Sequence, residues 1–343
     1  SVLYVTKGLM GTPRLLLDPN TLSNDGTVAL KQISISADGK YLAYGLSAAG
    51  SDWEDWYVLD VNSGKQLEDH LAWVKFSTIN WRHNGSGFYY SRYDEPKGEN
   101  ALKAVNEFQK LYFHRLGSAQ SDDKLIYERK DQPNWAIDNE VSDDGRYLVI
   151  NLEAGTAEKN LILIQDLAKN NTEIKTLIGE WTASYKFLGN NSQTFYFLTD
   201  EDAPHYRIVA IDINKPNKNQ WREIVPQTEQ TLQDALIVNR NIIAAYLKDA
   251  HSEVRRFDMK GKFLGAIELP GLGSVNTLTG QASDTEIFYT YTNYTMPPSV
   301  YRFDLKSNTN TLYRAPKLAF DPEQFETRQV FYSSRDGTRI PMF

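Results

Sequence analysis

The 343-residue chain contains no cysteine, which excludes disulfides, thiolate nucleophiles and Cys-ligated zinc. Histidine is scarce: His70, His83, His114, His205 and His251 are the full set, and no two stand at metal-ligand spacing. No apolar run approaches the roughly 20 residues that a membrane-spanning helix needs. The sequence carries neither a Walker loop nor a dinucleotide fingerprint. A G-x-S-x-G nucleophile elbow is also missing; Asn84-Gly85-Ser86-Gly87 and Gly271-Leu272-Gly273-Ser274 miss its spacing and lie at turns. Cations are outnumbered, 37 Lys and Arg against 44 Asp and Glu, for a net charge of −7. That balance gives no general attraction to nucleic acid or to anionic membranes. Thiol-free composition fits a cytoplasmic protein and is compatible with the periplasm, because a large core needs no covalent staples.

Carboxylates cluster at Asp122-Asp123, Asp143-Asp144 and Asp200-Glu201-Asp202. Each cluster falls at a turn, where Asp caps local backbone groups, and this reading outweighs a Ca²⁺ site or an acid–base pair. The chain by itself is therefore expected to hold no catalytic residue, no metal site and no cofactor.

What is abundant is aromatic residues, with 20 Tyr, 15 Phe and 7 Trp, and a repeated phrase that uses them. Its clearest copy is Val141-Ser142-Asp143-Asp144-Gly145-Arg146-Tyr147-Leu148-Val149-Ile150. Gly takes the positive φ of a tight turn, and the β-branched and aromatic residues after it favour a strand. The phrase recurs at Ser36-Ala37-Asp38-Gly39-Lys40-Tyr41 and at Arg82-His83-Asn84-Gly85-Ser86-Gly87-Phe88. Looser copies surround Asn191, Asn241 and Asp284. The six turn positions are spaced 46, 60, 46, 50 and 43 residues apart. Four short strands per unit at such a period specify an all-β fold, a β-propeller whose blades bury their faces on one another.

Ser1 to Val5 and Pro13 to Leu17 read as the two outer strands of a first blade without its inner strands. With the six signatures this makes seven blades of four strands, the first incomplete. The long interval comes from Arg92 to Glu107, a polar stretch followed by a helix-compatible piece, Ala101 to Glu107. After Asp321-Pro322 the pattern changes to a strand, an Asp336-Gly337 turn and a second strand containing Pro341, the expected start of another domain.

Several stretches together resemble the prolyl oligopeptidase family of serine peptidases. They are Tyr44-Gly45-Leu46-Ser47-Ala48-Ala49-Gly50-Ser51-Asp52-Trp53, Asp25-Gly26-Thr27-Val28-Ala29-Leu30, the phrase at Val141 to Tyr147, Asp284 to Tyr289, and Asp336-Gly337-Thr338-Arg339-Ile340-Pro341-Met342-Phe343. The likeness runs through essentially the whole chain in order. It implies a propeller over residues 1–322, followed in 323–343 by the opening hairpin of an α/β-hydrolase domain of the same polypeptide. All three residues of the Ser-Asp-His triad would lie outside the chain.

The resemblance further implies a monomeric, membrane-free enzyme that cleaves short peptides on the carboxyl side of proline. The propeller's narrow tunnel and the cleft between the domains would keep folded proteins from the triad. Aligned on Pro133-Asn134-Trp135, Arg129 takes the place where family members can present an aromatic residue to the substrate's third subsite, and it is the one substrate-cleft candidate. The propeller of a related oligopeptidase or dipeptidyl peptidase is an alternative, as is a stand-alone protein-binding propeller.

Overall fold

The structure, a computed structural model, describes residues 2–96, 105–169 and 172–343. The chain forms two compact units, residues 1–181 and 182–343. Both are built from one motif, a four-stranded antiparallel sheet whose strands pair in chain order.

In the first unit, β1 (Leu3–Val5) and β2 (Arg14–Leu17) form a two-stranded sheet. Blade 2 follows as β3 (Val28–Ile35), β4 (Tyr41–Ala48), β5 (Glu54–Asp60) and β6 (Gln66–Val74). Blade 3 comprises β7 (Asn80–Trp81), β8 (Gly87–Arg92), β9 (Lys110–Arg115) and β10 (Lys124–Glu128). Blade 4 comprises β11 (Trp135–Val141), β12 (Tyr147–Ala154), β13 (Asn160–Asp166) and β14 (Lys175–Ile178).

The second unit holds blade 5 with β15 (Tyr185–Asn191), β16 (Thr194–Thr199), β17 (Arg207–Asp212) and β18 (Arg222–Val225). Blade 6 has β19 (Thr231–Val238), β20 (Asn241–Lys248), β21 (His251–Asp258) and β22 (Phe263–Ile267). Blade 7 has β23 (Ser274–Thr279), β24 (Glu286–Thr292), β25 (Ser299–Asp304) and β26 (Thr309–Arg314). A hairpin of β27 (Val330–Ser333) and β28 (Arg339–Met342) comes last. The described residues thus contain six complete blades and the two-stranded first one. The helix-compatible piece at 101–107 lies largely outside the described residues.

The signature phrase is a backbone device. Gly39, Gly85 and Gly145 adopt φ of 68°, 69° and 68°, a conformation that L side chains rarely take. Around the turn the polar side chains satisfy the backbone: Asp144 Oδ1 accepts from Ser142 Oγ at 2.6 Å and from the Arg146 amide at 3.0 Å. Ser36, Asp38 and Lys40 repeat this set at 2.7 and 3.1 Å. In the looser copies the positive φ falls elsewhere than the spacing suggested. It is at Ser192 (56°) in blade 5 and at Asn239 and Arg240 (47° and 58°) in blade 6, while Asn191 and Asn241 are already in strands. In blade 6 a two-residue hairpin loop with both residues left-handed does what Asp-Gly does in the stronger copies, and in blade 5 Ser192 supplies the left-handed residue.

After the turn, alternate side chains are driven into the seams between neighbouring sheets. Trp56, Val58 and Leu71 of blade 2 pack with Trp81, Phe88 and Tyr90 of blade 3. In the second unit Tyr196, Ile208 and Val225 of blade 5 pack with Leu232, Ile242 and Tyr246 of blade 6. Each fully buried large side chain contributes about 2–3 kcal/mol, so the seams carry most of the stability. Polar atoms at a seam need partners: Ser34 Oγ donates to the Ile79 carbonyl at 2.6 Å, and Trp81 Nε1 to the Ser34 carbonyl at 3.1 Å.

The seam between blades 2 and 3 also holds a buried charge cluster. His114, fully buried on β9, contacts Asp69 through Nε2 at 2.9 Å and Asp123 through Nδ1 at 2.7 Å. Gly117 N–H donates to Asp69 Oδ1 at 2.6 Å and Tyr90 Oη to Asp123 Oδ2 at 2.7 Å. Burial pulls the imidazole pKa down, but the hydrogen bonds and charges of Asp123 and Asp69 outweigh it and raise it to about 9. Burial would push Asp69 up, yet His114 and the Gly117 amide hold it below the ordinary carboxylate value. The ring is therefore an imidazolium at neutral pH with both nitrogens committed, and it cannot accept a proton from a nucleophile.

Candidate functional site

Because the strands of every blade alternate in direction, its loops divide between two ends. The signature turns and the third-to-fourth-strand turns share one end. The second-to-third-strand loops and the linkers to the next blade share the other, called here the linker end. Arg129 sits in the linker from β10 to β11, and the residues leading into β9 of blade 3 run beside it. The two are bonded together, Phe108 N–H donating to the Pro133 carbonyl at 2.7 Å.

Arg129 is held by its own linker. Its Nε and Nη2 form a fork to Asp131 at 2.9 and 2.8 Å, and the guanidinium lies 4.3 Å from the centre of the Trp135 ring. The Asp131 hydrogen bonds raise the Arg129 pKa, and in return Arg129 lowers that of Asp131. Trp135 is in turn braced edge-on by Trp181 at 5.0 Å. The side chain of Arg129 keeps 28% of its surface exposed. A planar cation fixed in this way can accept an acidic group on its open edge or stack on a flat one.

Sequence reasoning missed the rest of this end of the first unit. Trp53, from the Gly50-Ser51-Asp52-Trp53 stretch, meets Trp73 and Tyr93 edge to face at 5.8 and 6.0 Å. Lys75 Nζ lies over the Trp53 and Phe76 rings at 5.3 and 5.0 Å and is 3.5 Å from Asp52. Trp73, Phe76 and Phe108 all have positive φ, 62°, 53° and 59°, which is costly for bulky residues. Buried Gln109 overdetermines the strained linker: its Nε2 donates to the Lys75 and Phe76 carbonyls at 3.0 and 3.2 Å, while its Oε1 accepts from Ile137 N–H at 2.7 Å. As a result Phe76 is 59% exposed and Phe108 40% exposed on loops that cannot easily relax. The one sequence signal was Trp53; the left-handed aromatics have no local signature.

The linker end of the second unit carries the terminal hairpin. Gln329 Nε2 donates to the Asp249 carbonyl in the β20–β21 loop at 2.6 Å, and Phe343 packs on Tyr294 of the β24–β25 loop at 5.5 Å. Among the described residues no group of His, Asp and Glu is arranged to hold a metal ion, and no helix is long and apolar enough to cross a membrane.

Comparison with known proteins agrees with this architecture. Residues 1–316 match the family model described as prolyl oligopeptidase, N-terminal beta-propeller domain. A prolyl endopeptidase of Elizabethkingia meningoseptica is 37% identical over 345 residues, covering 100% of this chain and 48% of that protein. Prolyl oligopeptidase A of Amanita bisporigera is 33% identical, with 95% and 46% covered. Among solved structures, a prolyl endopeptidase superposes with a TM-score of 0.85 at 33% identity over 96% of this chain and 47% of its own. Prolyl oligopeptidase B from Galerina marginata gives 0.87 at 26% identity, with 96% and 48% covered. The chain spans about half the length of these relatives, and over that half it belongs to the prolyl oligopeptidase family, as the family's N-terminal β-propeller domain.

Proposed function

We propose that the chain is the substrate-gating part of a serine endopeptidase that hydrolyses short peptides on the carboxyl side of proline. The triad is supplied by an α/β-hydrolase domain of the same polypeptide, beyond the propeller of residues 1–322, and residues 323–343 are that domain's opening hairpin. The observation that carries the reading is the match of the whole chain, in order, to prolyl endopeptidases of about twice its length. It is supported by the contact of the terminal hairpin with the linker-end loops of blades 6 and 7. A domain continuing from that hairpin would meet the linker end. Closing the two parts over a peptide excludes water from the reacting bond and strengthens the electrostatics there. The enzyme works as a cytoplasmic monomer.

The test is hydrolysis by the full-length protein of quenched peptides that differ only at the first subsite. Proline is expected to be cleaved at least ~100-fold faster, by kcat/KM, than Arg or Lys, because a pocket shaped for the pyrrolidine ring rejects longer side chains. Indifference to proline would overturn the reading. The same site within a folded protein is expected to resist cleavage.

Within this reading, Arg129 faces the domain cleft and sets the preference at the third subsite. Arg129→Ala in the full-length enzyme is expected to raise KM about twofold to fivefold for peptides with Asp at that position, with kcat unchanged. Peptides with Lys there are expected to be unaffected or improved. An equal change for both peptides, or none, removes Arg129 from the substrate path.

A further inference from the structure

A cavity of about 370 Å³ opens between blades 3 and 4, away from Arg129 and the linker end. Its lining includes the apolar and aromatic side chains of Tyr89, Phe113 and Ile126 and the cations Arg82, Lys124 and Lys169. No carboxylate lines it. Arg82 follows β7 and starts the signature turn of blade 3, Lys124 opens β10, and Lys169 lies in the turn from β13 to β14 of blade 4. The tertiary fold alone brings the three together.

Three cations on one cavity are unexpected in a chain of net charge −7. Among the described residues none of them has an ion-pair partner within 4 Å, although other surface cations of this unit do: Lys110 pairs with Asp94 and Arg146 with Asp166. Asp166, the carboxylate that feels Lys169, is engaged by Arg146 at 3.0 Å and by the Ala168 amide at 3.0 Å. Arg82 is pre-positioned, since its Nη2 donates to the Leu167 carbonyl at 2.9 Å and the rest of its planar fork is left for another acceptor. Like charges gathered without counter-charge repel, and a bound anion relieves that repulsion while taking charge-assisted hydrogen bonds.

From this geometry we propose that the cavity binds a small multivalent oxyanion of the phosphate class. The anion spans the signature turn and fourth strand of blade 3 and the β13–β14 turn of blade 4, so it clamps the two blades together. Binding to the folded state alone then raises thermal stability in proportion to the logarithm of anion concentration.

Inorganic pyrophosphate at a few millimolar is the probe, compared with sodium chloride at equal ionic strength. The chain is expected to melt about 2 °C higher with pyrophosphate, and calorimetric titration is expected to give one site. The double variant K124A/K169A, both exposed lysines, is expected to lose the shift and the heat. K65A/K306A, which removes the same charge from exposed positions that do not line the cavity, is expected to keep both. No shift over chloride, a shift undiminished in K124A/K169A, or an equal loss in K65A/K306A would each overturn the proposal.

Discussion

Replacing His114 by alanine is expected to destabilise the chain by about 3–5 kcal/mol, read as a fall in the urea midpoint at pH 7. The loss is large because the ring is not merely a packed side chain. It is the cation between two carboxylates that are both almost wholly removed from water, Asp69 and Asp123, each 1% exposed. Without it, two like charges remain in an apolar seam lined by Phe88 and Tyr90, with Asp69 Oδ2 already lacking any hydrogen-bond partner among the described residues.

The same cluster fixes a pH dependence. The folded-state pKa of His114, about 9, lies above the ordinary imidazole value of 6.5. Its contribution is therefore complete below pH 6.5 and is lost as pH rises through 9. Asp69, depressed in the folded state, contributes above its ordinary value of 3.8 and loses that contribution as pH falls below it. The urea midpoint of the wild-type chain is expected to decline between pH 6.5 and 9.5. His114→Gln, which can still donate one hydrogen bond but cannot titrate, is expected to be less stable at pH 7 and flat across that window. An equally steep decline in the Gln variant would show that the slope arises elsewhere.

Gly87→Ala is expected to cost about 4 kcal/mol, whereas Gly85→Ala, two residues away, is expected to cost about 1 kcal/mol. Both glycines have positive φ, 152° and 69°. They differ in what surrounds them. A Cβ at Gly85 would meet open space, while one at Gly87 would overlap the carbonyl oxygen of His114 on the neighbouring strand. Relief would require β8 and β9 to separate beside the charge cluster and would break the bond from Arg82 N–H to the Gly87 carbonyl, 2.9 Å in the wild type. Paired urea titrations decide the matter: equal costs at the two positions would mean that backbone conformation, not strand contact, governs both.

The blades were legible in the sequence because their cause is local. Asp144 bonds to residues two positions away, Gly145 supplies a φ that needs no neighbour, and Tyr147 to Ile150 alternate on a pleat whichever sheet receives them. The same locality made the terminal hairpin readable around Gly337, with φ 83°. It also explains the displaced turn positions in blades 5 and 6, where Ser192, Asn239 and Arg240 take up left-handed backbone without a glycine to announce it.

Asp122-Asp123 shows where local reasoning stopped. By sequence Asp123 is a turn residue, yet its carboxylate serves His114, nine residues away, and Tyr90, 33 away, while Asp69 reaches the same ring from 45 residues upstream. Arg129 could be singled out by sequence, but its Trp135 contact and the brace from Trp181 depend on how two linkers meet. The basic cavity and the strained aromatics Trp73, Phe76 and Phe108 have the same origin. By itself the sequence determined the repeat, the turns and the apolar faces, because each is specified within a few residues by backbone conformation and side-chain alternation. Only the tertiary structure decided which charges are buried together, which are left unpaired and which rings are held open to solvent, because those depend on side chains from different blades meeting at a seam.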